Sequence, residues 1–112
     1  MTIMNIKTEL ENLKKDFSEL MDLFDNSHAN VSLISEKYSE IKVRVNERLI
    51  FLEKEEKSNT LNRYEICFLL PAIREVSLHC TARIGSQNIE QLSSSIYDGE
   101  DYCSYWLTEL DA

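Results

Sequence analysis

Glycine and proline are almost missing, with two of the first and one of the second in 112 residues. Tight turns and β-hairpins lean on both, so their scarcity argues against an all-β fold. Long apolar runs are missing too. The longest, Ile66 to Ile73, is eight residues with Pro71 inside it, far short of the roughly 20 that cross a bilayer. The opening MTIMNIKTELENL has no basic stretch followed by an apolar one, so no signal peptide is expected there. Cysteine is scarce and odd in number, at Cys67, Cys80 and Cys103. That points away from a closed disulfide framework and toward a reducing cytoplasm.

Other absences bear on chemistry. No two cysteines stand at the close C-x₂-C spacing of structural zinc sites. No glycine-rich loop is present to cradle a phosphate. His79 and Cys80 are adjacent, and neighbours on a helix point about 100° apart, so they do not form a Cys–His pair. We expect no metal, no cofactor and no catalytic residue. Positive charge is in deficit: 20 acids face 12 bases, a net charge of −8. Such a surface repels nucleic-acid phosphate and anionic lipid and suits a basic partner.

What the chain does have is periodicity. Ile6, Leu10, Leu13, Phe17, Leu20 and Phe24 recur at steps of three and four, and so do Ile34, Tyr38, Ile41, Val45, Leu49 and Leu52. Each series is one apolar stripe on a long helix. The first helix is expected from about Asn5 to Asp25, or from Thr8 if Thr8 and Glu11 form a capping box. Asp25 to Asn30 reads as a polar turn, and the second helix should run from Val31 or Ser32 to Lys57. Ile41, Val43 and Val45 also alternate as a strand would, but the helical pattern covers more of the segment. Two stripes joined by a short turn bury most simply against each other as an antiparallel hairpin.

Ser58-Asn-Thr60 should close the second helix and cap a third, which carries Leu61, Tyr64, Phe68, Ala72, Ile73 and Val76 and ends near Gly85. Pro71 must kink or break it. Because 64–76 is apolar on nearly all sides, it is expected to be the most buried element. A short fourth helix over Ser86 to Ile96 is followed by Asp98-Gly-Glu-Asp101, read as a turn and N-cap. A last helix holds Tyr102, Cys103, Trp106, Leu107 and Leu110. The expectation is one all-α domain over 1–112: a long antiparallel helical hairpin packed with about three shorter helices, a four- to five-helix bundle.

The C-terminal quarter is distinctive. From Ile84 onward there is no Lys or Arg, while six acids and four of the large aromatics crowd in. Residues 1–58, by contrast, mix twelve acids with nine bases. Tyr and Trp anchor interfaces, and acids beside them select a basic partner. Tyr102 and Trp106 lie on the apolar stripe and are expected in the core. Tyr97, Asp98, Glu100, Asp101, Tyr105 and Glu109 are the expected partner-binding residues. The function this suggests is a small acidic, non-enzymatic inhibitor of the immunity-protein or antitoxin class, masking a basic protein such as a toxin.

Two alternatives come from other features. Arg74-Glu-Val-Ser-Leu-His79 has the form R-x₄-H, which resembles the signature of HEPN-type ribonucleases, small helical bundles that dimerise to assemble an Arg/His site. The resemblance covers six residues, and Glu75 stands where the family carries Asn, Asp or His. It would imply a ribonuclease using Arg74 and His79. The near-heptad stripes would instead allow a homodimer, in a structural or adaptor role.

Overall fold

A computed structural model describes residues 3–26, 31–80 and 89–111. Three long helices, α1 (Ile3–Asn26), α2 (Val31–Lys57) and α4 (Ile89–Asp111), surround a shorter third rod. That rod consists of a π-helical turn at Glu65–Leu69, α3 at Leu70–Glu75, and a second π-helical turn at Val76–Cys80. The described residues are helical apart from the α2–rod connection and contain no strand, so the all-α bundle expected from periodicity is the observed fold. Its Cα envelope is elongated, 46 × 26 × 16 Å. No described helix is long and apolar enough to cross a membrane. The turn over 27–30, the end of the third helix near Gly85 and a helix start at Ser86 lie outside the described residues.

Both stripes are buried as their spacing requires. Ile6, Leu10, Leu13, Phe17 and Leu20 of α1 face Ile34, Tyr38, Ile41, Val45 and Leu52 of α2 across one core, with Leu49 and Phe24 half-buried at its margin. Phe17 meets Tyr38 edge-on, with ring centroids 6.3 Å apart. Val43 points outward, so the alternation at 41–45 is a helical face and its reverse.

The tightest pairing, however, is α1 with α4 rather than α1 with α2. The expected turn at Asp98–Asp101 is instead continuous helix inside α4. Gly99 explains why. It is buried, and a Cβ at its position would overlap the ring of Phe17. The missing side chain lets α4 approach α1, and it does not serve a turn there. Asp-Gly is the sequence of a turn, but a contact 82 residues away decides its conformation.

Helix ends also differ from the sequence reading. Thr8 caps nothing; its hydroxyl donates to the Met4 carbonyl within α1. α2 ends in a Schellman motif. Asn59 takes φ +57° and its N–H donates to Glu56 O, while the Thr60 N–H donates to Glu55 O. Asn62, not Thr60, caps the third rod. The Asn62 side chain accepts from the Glu65 N–H at 2.9 Å, and the Glu65 carboxylate accepts from the Asn62 N–H at 2.9 Å, a reciprocal capping box.

Pro71 sits in the first turn of α3, directly after the wide turn. Its ring would collide with the carbonyl four residues back in a regular helix. The chain avoids this by widening, so that the Leu70 N–H reaches Glu65 O, five residues back. The rod is less enclosed than its composition suggested. Leu69, Leu70, Ala72, Ile73 and Val76 are buried, but Tyr64, Ile66 and Leu78 are exposed.

Candidate protein-binding face

At about 100° per residue, α4 divides into three sectors. Ile96, Gly99, Cys103 and Leu110 face the core. Tyr102 and Trp106 are half-buried on the flank toward the third rod. There the Trp106 indole N–H donates to the Glu75 carboxylate at 2.9 Å, and the Tyr102 ring stacks on His79 at 5.6 Å. Tyr102 and Trp106, expected in the core, are thus half-buried at its edge and packed against the third rod.

The remaining sector is outward. Asp98, Asp101, Tyr105 and Glu109 are all exposed and lie on this one face. Tyr105 is 53% exposed, with its ring edge-on to Trp106 at 5.2 Å. That contact leaves about half of the residue uncovered. Tyr97 lies at the border with α1, where its hydroxyl donates to the Asp25 carboxylate at 3.1 Å. That hydrogen bond, above all, raises the phenol's pKa from its ordinary value. Glu100 is different. It is half-buried and turned toward α1, where it and Lys14 both act on the Cys103 thiol. The structure thus groups four of the six expected residues, sets Tyr97 beside them and places Glu100 on the flank.

The α1 side of this face carries mixed charge, with Glu11 and Asp25 as well as its lysines. Lys7, Glu11, Lys14 and Lys15 line the α1–α4 groove with Leu107 and Asp111, and Lys7 pairs with Asp111 at 3.6 Å. Asp98, Asp101 and Glu109 of α4 lie outside this groove.

Sequence reasoning missed two other features. Between α1 and α2 lies a groove of about 300 Å³ with Leu13, Val45 and Ile73 among its lining residues. Two ion pairs bridge it. Arg48 holds Glu9 with two hydrogen bonds, 2.9 and 3.0 Å, and Arg44 reaches Asp16 at 2.9 Å. The first is the stronger, being bidentate and largely shielded, with its partners 26% and 29% exposed. Arg48 also lies over Phe51 at 5.4 Å. Nothing in the local sequence pairs residues 39 positions apart, so only the helix register reveals this ladder. The second feature is the outward exposure of Val43, Ile50 and Leu78. The seven-residue spacing of Val43 and Ile50, off the buried stripe, was legible in the sequence.

The remaining reactive groups are dispersed. Arg74 reaches Glu53 and Glu56 of α2 at 3.9 and 3.7 Å, while His79 stacks against α4. The two residues of the R-x₄-H motif thus engage different helices. Burial pushes the Cys103 thiol up to about 12, so it stays protonated and unreactive. Cys67 is a free, exposed thiol. Among the described residues, no three His, Cys, Asp or Glu side chains gather as they would around a metal ion. No protein-family model, no curated protein and no solved structure matches the chain.

Proposed function

We propose that the protein is a non-enzymatic inhibitor that docks the outward face of α4 on a basic protein and blocks it sterically. Asp98, Asp101 and Glu109 supply the charge and Tyr105 the anchor, with Tyr97 and Glu100 at the margin. The observation that carries this reading is the exposure of Tyr105 amid acids on a face whose own helix contains no base. A large aromatic half uncovered and ringed by one sign of charge is the composition of an interface hot spot. Masking a cationic toxin, in the manner of immunity proteins and antitoxins, is a role that fits this size and charge. The free thiols suit a reducing cytoplasm.

The test is site-specific photo-crosslinking in the native cell from position 105. The expected adduct is a basic protein, and it should disappear when Asp98 and Asp101 are both changed to Lys. An adduct that survives the charge reversal, or crosslinking only from the α2 surface, would refute the placement.

A further inference from the structure

The outer face of α2 is unpartnered and carries a symmetry of its own. Val43 and Ile50 are 54% and 69% exposed and stand seven residues apart, so they share one face. Asn46 lies between them and accepts a hydrogen bond from the Ser77 hydroxyl at 2.8 Å. Leu78, the next residue after Ser77, is 64% exposed. An apolar pair, Val43 and Ile50, thus occupies the middle of the outer face of α2, with exposed Leu78 on the adjoining rod. Exposed charges bracket it in an ordered way. Glu36 and Glu40 lie toward the N-terminal end of α2, and Lys54 and Lys57 toward the C-terminal end. Glu36 is seven residues before Val43, and Lys57 is seven after Ile50. None of the four makes an ion pair among the described residues.

We infer that this face is an antiparallel homodimer interface whose occupant is the α2 of a second copy. A twofold axis passing between Asn46 and Glu47 sets Val43 against the second copy's Ile50, and Ile50 against its Val43. The same operation brings Glu36 and Glu40 to the second copy's Lys57 and Lys54 at both ends. An isologous contact must be complementary to itself, and this face is: acidic at one end, basic at the other, apolar in the middle. Parallel pairing would set acid against acid and base against base. Two charges oppose the arrangement, the first being Arg44, 60% exposed on the surface shared by Glu36, Glu40 and Val43. The second, Glu47, exposed near the axis, lies beside its own counterpart. One helix face with Leu78 is small beside the ~1,600 Å² of a standard interface. The dimer is therefore expected to be weak, with dissociation near about 10⁻⁵ to 10⁻⁴ M. α2 and α4 are diagonal in the bundle and make little direct contact, so the inference does not depend on the proposed role of α4.

Sedimentation velocity of the full chain over a concentration series tests it. The wild type should pass from monomer to dimer across the micromolar range. Ile50→Asp should abolish the dimer with helical circular dichroism unchanged. Glu36→Lys with Glu40→Lys should abolish it as well, and so should Lys54→Glu with Lys57→Glu. An equimolar mixture of those two double variants should dimerise again, because each end then meets its opposite. Glu47→Gln should tighten the wild-type dimer severalfold. A wild type that stays monomeric at about ten times the upper expected constant, about 10⁻³ M, would overturn the inference. So would a dimer that survives Ile50→Asp, or double variants that fail to recover on mixing.

Discussion

Gly99 decides how closely two helices approach, and its replacement tests that directly. Alanine is better than glycine in a helix by about 1 kcal/mol. Here the added methyl meets the buried Phe17 ring, and overpacking a core costs about 1–3 kcal/mol. Gly99→Ala should therefore lower stability despite its helical preference, and should do so much less in a Phe17→Leu background. Denaturant midpoints of the four proteins of the cycle measure this; equal effects in both backgrounds would mean that ring and glycine are not coupled. Cys103 offers a second test, through pH. Its folded value of about 12 lies above the ordinary 9.0. The neutral thiol is favoured in the fold, so its contribution is complete below pH 9.0 and is lost as pH rises toward about 12. The stability difference between wild type and Cys103→Ala should narrow over that window, read by denaturant unfolding at fixed pH values.

Elements are set by local pattern in their middles and by specific partners at their ends. The stripes of α1 and α2 were legible because a helix of more than 20 residues repeats its signal many times. The caps were not, since several Ser, Thr and Asn residues near residue 60 could each have served and only geometry chose Asn62. The merging of two expected helices into α4 was also hidden. Asp98-Gly99 has turn chemistry, and only the distant Phe17 overrides it. The expected binding residues fared likewise. Their outward positions follow from helix period, but the inward turn of Glu100 depends on where α1 lies. The capping box carries its own prediction. Asn62→Ala removes the acceptor for Glu65 N–H and loosens the fixing of a carboxylate that is only 9% exposed. The cost should be about 1–2 kcal/mol. Adding Glu65→Ala should cost less than the sum of the two single changes, because the two bonds act as a unit. Additive losses in thermal unfolding would argue against reciprocity.

At the scale of the whole molecule, charge and shape separate. The chain carries −8 overall, and Asp98, Asp101 and Glu109 share one side of α4, outside the groove that the lysines of α1 line. Association with a basic partner through that side should be fast and salt-dependent, because exposed charges steer encounter and are screened over about 8 Å at physiological ionic strength. Asp98→Lys with Asp101→Lys should slow association, whereas Tyr105→Ala should mainly speed dissociation. Surface plasmon resonance at two salt concentrations with the crosslinked partner separates the two rates, and unchanged kinetics in both variants would move the interface elsewhere. The closeness of α1 to α4 also has a bearing on how the protein comes to be folded at all. Phe17 and Gly99, Asp25 and Tyr97, and Lys7 and Asp111 are each more than 70 positions apart. For a helical protein, that places much of the packing energy in non-local contacts, and forming them means closing nearly the whole chain into a loop. A nascent chain that has emerged only as far as residue 80 holds Phe17 against Tyr38 of α2 but without the α4 surface at Gly99. The first three rods lack that cover until α4 has been made and packs on α1.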